Sequence, residues 1–520
     1  MGVALERAGK RSQIKALPGV GDIVDIQAGS VPSGLTSLPS YASLSSGGKY
    51  KIKSLAEVGA LIALGQNGPL RADIVIADDA MAAAIAAPLN ALRDEIQGAS
   101  PDAGTDFATL RSTALEPSAK LQSKEVRLMK VFGRPTIVVA ADGGATAAGL
   151  FGKFWQRMAI ASSTVVKSAD IPVADGNTVT LKSLGGSPGS FDVLAHADWN
   201  TSFDIGAVSA DGRVPGSLVL DVSAAPSAAR TAPVVSVFLN EFLLGAKQLE
   251  ANGQRERITA RIPYAILTGR NVLRVAFVRQ LASDRCRETP EPYPVSVLPS
   301  SHVVLVDGKH NDNFSGMVAR FANAGTVIVP TAYLDNAQST LPRVVRMAMA
   351  TNVSPVNAQF SVADDKGAAL PKGPFLMLDV PSKDIESKVS LDKGRLVLNG
   401  QKDKALLDMT GLDEVGVVEV VKAGSNTGVV YRTVGANAPM MNVPFVLSDG
   451  NFAAIGKTGL LAEINTADPS GSRALLGEEP STVTSNFWWI IPVVLIIGFI
   501  ILLFFASRMR RRKNAKRTVV

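Results

Sequence analysis

The sequence predicts a multidomain protein of mixed α/β and all-β class, with two α/β regions flanking a β-sandwich or jelly roll and one transmembrane helix at the C-terminal end. Three observations lead to this expectation. Strand and helix patterns alternate in two separate parts of the chain, and short alternating strands fill the part between them. Near the C-terminus, twenty consecutive residues carry no charge. At 520 residues the chain has room for about three domains, taking ~150 residues for each.

The charge of the chain is concentrated in a basic tail. The sequence holds 53 Lys and Arg against 46 Asp and Glu, and seven of the cations lie in its last thirteen residues. Removing those seven leaves 46 against 46, so the rest of the chain is neutral. Binding to nucleic acid needs cations on a folded face, which this distribution does not predict. The seven are Arg508, Arg510, Arg511, Arg512, Lys513, Lys516 and Arg517.

The residue types that carry most enzyme chemistry are scarce. Cys286 is the single cysteine, which excludes an internal disulfide and a zinc site made of several cysteines. Three histidines leave little material for metal binding or acid–base catalysis. The composition therefore points away from an enzyme, and we expect no catalytic residue, no metal site and no cofactor-binding residue.

The first half of the chain begins with a predicted linker. Residues 1–48 are rich in Gly, Ser and Pro and favour a poorly ordered lead-in. Residues 49–168 form the first predicted α/β module, in which strands at 72–77 and 135–141 each precede a helix, the first of them broken near Pro88. This alternation favours a parallel sheet with helices on its faces.

The second half begins with a change of pattern. Residues 169–306 contain short runs of alternating apolar residues separated by Gly, Pro, Asn or Asp, which predicts a jelly-roll sandwich. Residues 307–465 return to alternating helices and strands and form the second predicted α/β module, and residues 466–486 are a polar tether.

Residues 487–506 form the predicted transmembrane helix. Twenty helical residues span about 30 Å, the thickness of the hydrocarbon core of a bilayer. Phe487, Trp488 and Trp489 lie where aromatic rings favour the headgroup level, and Pro492 and Gly498 are tolerated in a spanning helix. Arg508 and Arg510 begin the basic tail, residues 507–520, which the positive-inside rule places in the cytoplasm.

This orientation requires export of the main body, yet the N-terminal stretch has no apolar segment typical of a signal peptide. Two explanations are open: the chain lacks its true N-terminus, or it is tail-anchored with a cytosolic body. Tail anchoring would carry seven cations across the membrane, so we expect the first.

Two short motifs resemble catalytic signatures and fail on their chemistry. Residues 185–189 match G-x-S-x-G, but Pro188 follows the serine and has no N–H for an oxyanion hole, so we interpret the segment as a turn. Residues 456–458 read Gly-Lys-Thr, but Asn451 stands where a P-loop needs its first glycine, so we interpret this segment as a hairpin.

The order of several motifs resembles the periplasmic regulatory subunit family of bacterial cellulose synthase. In the middle region these are Asn240 at a strand end, the Ile262-Pro263 pair, Asn271 and Leu273, and the later Cys286. Residues 314–325 and 331–342 are similar to the module that follows in that family, and the C-terminal helix with its basic tail completes the pattern. The resemblance implies two flavodoxin-like α/β modules flanking the jelly roll, without the signal peptide and first carbohydrate-binding-like module of that family.

The resemblance also implies a function and partners. The chain would be a non-catalytic, single-pass inner-membrane subunit with its bulk in the periplasm, docked on the membrane-embedded catalytic subunit through its helix and guiding nascent β-1,4-glucan. Inner-membrane lipids and other copies of the chain are further expected partners. Cyclic di-GMP, for which the family is commonly described, is expected on the catalytic subunit. The residues we single out for glucan contact are Trp199, Tyr264 and Tyr293, because sugar-binding sandwiches stack pyranose faces on such rings.

Two other functions stay open on the sequence alone. A glycan-active hydrolase would need two carboxylates in one cleft, which a sequence cannot exclude. A membrane-anchored adhesion or sensor protein could carry the same combination of sandwich and α/β modules.

Overall fold

The computed structural model describes residues 1–65, 68–115, 121–151, 164–166, 176–208, 212–227, 231–280, 291–308, 311–364, 367, 369–400, 405–447, 450–467 and 473–474. The chain divides into two compact units, residues 1–473 and 474–520, and of the second only residue 474 is described. The helices are α1 (Gly2–Arg7), α2 (Pro39–Leu44), α3 (Leu55–Ala63), α4 (Asp79–Ala99), α5 (Pro101–Leu110), α6 (Gly144–Phe151), α7 (Ile205–Val208), α8 (Phe314–Asn323), α9 (Ala332–Asp335) and α10 (Ala337–Ala350).

The strands of the first half are β1 (Ile23–Ile26), β2 (Gly48–Lys51), β3 (Ile74–Ala77), β4 (Val126–Val131), β5 (Arg134–Ala140), β6 (Thr164–Val166), β7 (Thr178–Thr180), β8 (Gly189–Val193), β9 (His196–Asp204), β10 (Arg213–Ala224), β11 (Val234–Leu239), β12 (Phe242–Gln248) and β13 (Glu256–Arg261). Those of the second half are β14 (Arg270–Val278), β15 (Tyr293–Val297), β16 (His302–Asp307), β17 (Gly325–Pro330), β18 (Ala358–Ala363), β19 (Phe375–Leu378), β20 (Val389–Asp392), β21 (Arg395–Asn399), β22 (Ala405–Met409), β23 (Val415–Ala423), β24 (Asn426–Val434), β25 (Phe452–Gly456), β26 (Gly459–Ile464) and β27 (Arg473–Ala474).

The N-terminal 48 residues are folded, which corrects the predicted linker. They contain α1, β1 and α2, and β1 pairs with β2 in an antiparallel ribbon. Ile26, Tyr41 and Leu44 are buried in the same core as α3 and α4. The Gly, Ser and Pro residues that suggested disorder serve the turns between these short elements, while the scattered apolar residues supply their anchors.

The first α/β region has a four-stranded sheet in the order β3-β5-β4-β6. β3 and β5 are parallel, and β4 is antiparallel to both of its neighbours. Helix α4 runs unbroken past Pro88, which corrects the predicted break, and packs closely on α3. At their crossing a side chain on Gly59 would come 2.3 Å from the carbonyl oxygen of Pro88, so the approach requires glycine.

The middle region is an antiparallel sandwich of two sheets. One sheet has the order β7-β16-β10-β15-β8, with β13 also paired to β10, and the other has the order β12-β11-β14-β9. Their inner faces share one core, in which Phe191 and Phe277 meet edge to face with centroids 5.4 Å apart.

The last region has a sheet whose two halves differ in strand direction. In the order β18-β17-β19-β24-β23-β25-β26, the first four strands are parallel and the others are antiparallel. Helices α8 and α10 cover one face through Phe314, Phe321 and Met347. A second sheet, β20-β21-β22, packs through Leu396 and Leu398 against the antiparallel half.

The predicted fold class is therefore wrong in the balance that it expects between strand and helix. Strands make up 38% of the structure and helices 25%. Neither α/β region is the parallel sheet that a flavodoxin-like module would require, because β4 in the first and β23, β25 and β26 in the last run antiparallel. Strand–helix alternation in sequence detects the parallel pairs but not the hairpins inserted between or after them.

The membrane prediction is also corrected. Within the described ranges, no helix combines the length and the apolar character needed to cross a bilayer. No described helix supports the predicted transmembrane helix or the single-pass inner-membrane localisation, and neither enters the function proposed below. The residues on which that prediction was based, 487–506 with Phe487, Trp488, Trp489, Pro492 and Gly498, and the following Arg508 and Arg510, lie outside the described residues.

Candidate carbohydrate-binding face

The candidate site is the outer face of the sheet β12-β11-β14-β9, called the outer face below. Side chains alternate across a strand, so each strand of this sheet sends every second residue into the core and the others outward. In β11, Val235, Val237 and Leu239 are buried, while Val234 is 38% exposed. In β14, Val278 is 46% exposed on the same outward side. Exposed valines beside one another mark a surface that a partner or ligand can cover.

The outer face has two ridges of larger side chains with a trough between them. Cross-strand pairing places Leu243, Phe238, Arg274 and Asn200 in one row, and Gln248, Val234, Val278 and His196 in another. The row between them contains the small residues Ala246, Ser236 and Ala276 and ends at Asp198. The ridges are four residues apart along β11, β14 and β9, about 13 Å at ~3.3 Å per residue. The trough thus runs across the strands, with apolar side chains on both walls.

The polar groups of the outer face gather at one end of the trough. The guanidinium of Arg274 lies 4.0 Å from the ring centre of Phe238 and donates to Glu241 at 2.9 Å. Asp198 lies 3.0 Å from Nε2 of His196 and 3.9 Å from Arg274. Asp198, Asn200 and Arg274 thus combine acceptors and donors beside an aromatic ring. Orienting polar groups on an apolar surface are the usual composition of a small-molecule site.

The N-terminal helix α1 packs against the outer face at the end of β9 and the start of β14. Arg7 of α1 is buried and donates to Asp204 of β9 at 3.1 Å, and to the carbonyl oxygen of Val353 at 3.1 Å. Arg270, on the adjacent strand, donates to the carbonyl oxygen of Arg7 and to Ser202. These bonds tie the end of β9 and the start of β14 to α1.

Trp199 lies on the inner side of β9, which corrects its predicted contact with glucan. Its ring is 8% exposed, and its indole N–H donates to the carbonyl oxygen of Ser187 at 3.0 Å. Gly186 lies against the same ring, so Trp199 anchors the segment 186–188 that leads into β8. A ring enclosed in this way has no face to offer a sugar.

Tyr264 is half-buried and Tyr293 is enclosed, and the structure does not bring the three aromatic residues together as a platform. Burial raises the pKa of Tyr264 to about 12, and its hydroxyl bonds to the backbone of Ala319. Tyr293 is 5% exposed, its hydroxyl donates to the carbonyl oxygen of Ala225, and Arg279 covers its ring at 4.2 Å. Both rings support the sandwich rather than its surface.

The motifs behind the family resemblance prove to be structural. Asn240 and Glu241 both have positive φ and form the two-residue turn between β11 and β12. The amide of Asn240 donates to Asn271 at 2.9 Å and to the carbonyl oxygen of Ile266 at 2.8 Å, which fastens the hairpin to the next segment. Ile262 and Leu273 are buried in the core of the sandwich. Cys286 lies outside the described residues.

The two rejected motifs have the structures expected for them. Gly185 ends a turn over residues 181–185 and residues 186–188 lead from it into β8, while Gly456 pairs with Gly459 across a two-residue turn between β25 and β26. In the described part of the chain, no three His, Cys, Asp or Glu side chains converge as metal ligands would.

Phe238, Arg274, Asp198 and Asn200 were missed from the sequence. The burial of β11 alternates, with Phe238 outward between the buried Val237 and Leu239, but Ser236 is the one polar residue of this strand, so its sequence gives little sign of the outward side. The polar neighbours of Phe238 come from β14 and β9, more than thirty residues away along the chain, so the register is needed to reveal them.

Comparison with known proteins gives no family assignment. No family model matches the chain, and no curated protein does. The similar solved structures include carbohydrate-binding modules. One is the module CBM36 in complex with calcium and xylotriose, with 11% identity and a TM-score of 0.16 over 25% of this chain and 98% of that one. Another is TmCBM61 in complex with β-1,4-galactotriose, with 9% identity and a TM-score of 0.14 over 26% and 86%. An acetyl xylan esterase is also similar, at 8% identity and a TM-score of 0.15 over 37% and 46%. Values this low support no conclusion, so the proposal below is based on the residues of the outer face.

Proposed function

We propose that this chain is a non-catalytic carbohydrate-binding protein that holds a glucan in the trough of the outer face. The observation that carries the proposal is the row Leu243-Phe238-Arg274-Asn200 facing the row Gln248-Val234-Val278-His196 across a floor of small residues. A sugar chain presents apolar C–H faces and flanking hydroxyls, which require apolar walls and planar hydrogen-bonding groups in alternation.

The charges of the outer face favour a neutral polymer. Arg274 is balanced by Glu241 and by Asp198, so the trough has no cation left to select a strongly anionic chain. His196, Asn200 and Gln248 add groups that can both donate and accept, as a hydroxyl does. A neutral glucan is therefore the ligand class that this surface fits best.

The finer role that we propose follows the family resemblance: the chain would receive β-1,4-glucan from a cellulose synthase catalytic subunit and associate with that subunit. Its support is the sequence order of Asn240, Ile262, Asn271 and Leu273, whose side chains form the framework of the hairpin and core beneath the trough. A pull-down of the tagged chain, with mass spectrometry of its partners and a UDP-glucose incorporation assay, tests this role. Recovery of a glucosyltransferase supports the association, and a preparation without one argues against it.

Binding itself is tested with cellohexaose by titration calorimetry on the full chain. Phe238→Ala removes the ring that supports Arg274, and Arg274→Ala removes the donor over that ring. We expect each variant to weaken binding about tenfold, the loss that ~1.4 kcal/mol produces. Arg261→Ala is the matched control, because Arg261 is an exposed cation on the outer side of the other sheet. Equal loss in the control, or no loss in either variant, would overturn the assignment of the site.

A further inference from the structure

A cleft of about 530 Å³ opens at the carboxyl ends of β3 and β5, far along the chain from the outer face. β3 ends at Ala77 and β5 ends at Ala140, and these two residues are paired in the parallel register. Helix α4 follows β3 and joins the core on one side of the sheet, with Val75 and Val138. Helix α6 follows β5 and joins the core on the other side, with Val139.

Two helices that leave adjacent parallel strands toward opposite faces create a crevice between them. In open α/β sheets, ligands bind in this crevice, outside the carboxyl ends of the strands. Here the crevice stays open because small residues surround it: Ala77, Ala140 and Ala141 at the strand ends, and Ala82 and Ala86 on α4. Met81, Ile85 and Leu121 add an apolar wall.

The polar rim of the cleft is predominantly acidic, because the carboxylates of Asp78, Asp79 and Asp142 outnumber the one lining cation, Arg111. Asp78 caps α4 by accepting the N–H of Met81 at 2.7 Å. Asp142 accepts the hydroxyl of Ser123 and the N–H of Lys124, and these bonds hold the pKa of Asp142 below its usual range. Carboxylates thus take the positions from which a phosphate-binding site would offer backbone N–H groups.

Carboxylates that are ionised and already fixed by hydrogen bonds can still accept further bonds from hydroxyl groups. Gln122, on the same rim, offers both a donor and an acceptor. The combination of an apolar wall with acceptor-rich edges suits a molecule that carries several hydroxyls and no negative charge.

We propose that this cleft binds a neutral, hydroxylated small molecule of the size of a mono- or disaccharide, and that it discriminates against phosphorylated or carboxylated ligands. The site is separate from the outer face and does not rest on the function proposed above. It would give the chain a second ligand site, in a region where the sequence predicts only a scaffold.

The test uses the full chain carrying Phe238→Ala and Arg274→Ala, so that binding at the outer face is weakened. The probes are cellobiose, a neutral disaccharide, and glucuronate, a monosaccharide that carries a carboxylate, observed by ligand-detected NMR and titration. Ala82→Phe fills the cleft from an exposed helix position, and Ala83→Phe is the control one residue further along, exposed but outside the cleft. Circular dichroism and melting temperature confirm that both variants fold.

We expect cellobiose to bind with a millimolar dissociation constant, Ala82→Phe to weaken it at least tenfold, and Ala83→Phe to leave it unchanged. Glucuronate should bind at least tenfold more weakly than cellobiose. Absence of cellobiose binding, equal binding by the two phenylalanine variants, or glucuronate binding as tight as that of cellobiose would each overturn the proposal. None of these results bears on the outer face, which is tested by its own variants.

Discussion

The two regions with parallel strands differ at the edge of the sheet where the carboxyl ends of those strands lie. This edge is open in the first region and filled by side chains in the last. In the first, the carboxyl ends of β3 and β5 are flanked by alanines, and a cleft lies there. In the last, the carboxyl ends of β17 and β19 meet beneath Tyr333, which is 6% exposed and donates its hydroxyl to Asp379 at 2.5 Å. Arg343 donates to the same hydroxyl at 3.1 Å. Both places are the carboxyl ends of adjacent parallel strands, and the size of the side chains there decides whether the sheet edge is open to a ligand.

Asp379 shows how tightly the edge in the last region is bonded. Its φ of +50° lies in the left-handed region, which is unfavourable for a residue with a side chain. Its carboxylate accepts the N–H of Thr433 at 2.6 Å and the hydroxyl of Thr433 at 2.9 Å, besides the bond from Tyr333. These bonds offset the strain, so this edge contributes to stability and the edge in the first region contributes to binding.

The largest expected effect is that of Tyr333→Ala, which would remove the ring that fills the sheet edge in the last region. Removing a buried aromatic ring costs about 3 kcal/mol, as transfer and cavity terms add. We expect the free energy of unfolding, measured in urea on the full chain, to fall by this amount. Leu334→Ala, at a neighbouring residue that is 44% exposed, is the control and should change it by less than ~0.5 kcal/mol. A loss below ~1 kcal/mol in Tyr333→Ala would contradict the comparison.

Asp379→Ala should cost somewhat less, about 2 kcal/mol, because it leaves the N–H of Thr433 and the hydroxyl of Tyr333 without their acceptor. The left-handed backbone would remain unfavourable for alanine. Asp379→Asn keeps an acceptor oxygen and should retain more stability than Asp379→Ala in the same urea measurement. Equal stability of the two variants would mean that the hydrogen bonds of Asp379 do not hold this edge together.

Alkaline pH should destabilise the folded protein through ionisation of Tyr333 in the filled edge of the last region. Burial, and then the nearby Asp379 carboxylate, raise the pKa of Tyr333 above its ordinary value near 10. A raised pKa in the folded state means that this contribution to stability is complete below pH ~10 and is lost as the pH rises further. Above pH 10 the free energy of unfolding should therefore fall less steeply with pH in Tyr333→Phe than in the wild type. The ionisation is followed by the ultraviolet absorbance of phenolate. Parallel curves would show that Tyr333 ionises as freely in the folded state as in the unfolded one.

The smallest effect is expected at the open edge. Ala82→Phe adds a ring to an exposed helix position facing an existing cleft, so nothing has to move to accommodate it. We expect a change in the free energy of unfolding within ~0.5 kcal/mol, the range of ordinary surface substitutions. A loss of several kcal/mol would show that the cleft is closed in solution and that the two edges are alike.

Much of the local structure could be predicted from the sequence, because it depends on short-range patterns. Residues 169–306 contain short strands as predicted, Val234–Leu239 among them, and α8 and α10 lie in residues 307–465, where helices and strands were predicted to alternate. The sheet directions could not be predicted in this way, because the antiparallel pairing of β4 and β23 depends on how the chain connects the strands and not on a local pattern. Residues 1–48 were misjudged because a few buried anchors such as Tyr41 fix a segment whose average composition favours a linker.

The candidate site was the least predictable part. Aromatic residues were chosen by type, yet Trp199 and Tyr293 face the core, and Phe238 gained its role from Arg274 through pairing of distant strands. A residue's type gives its chemistry, whereas the direction of its side chain depends on register, which the sequence shows only where the alternation is unbroken. In β9 the alternation places Trp199 inward with Phe203, and this was the available signal.

The most direct test of the central claim is the affinity of the full chain for cellohexaose, compared with that of Phe238→Ala under the same conditions. The outer face predicts measurable binding by the wild type and about tenfold weaker binding by the variant. Binding that is identical in both, or absent in the wild type, would contradict a carbohydrate site on the outer face.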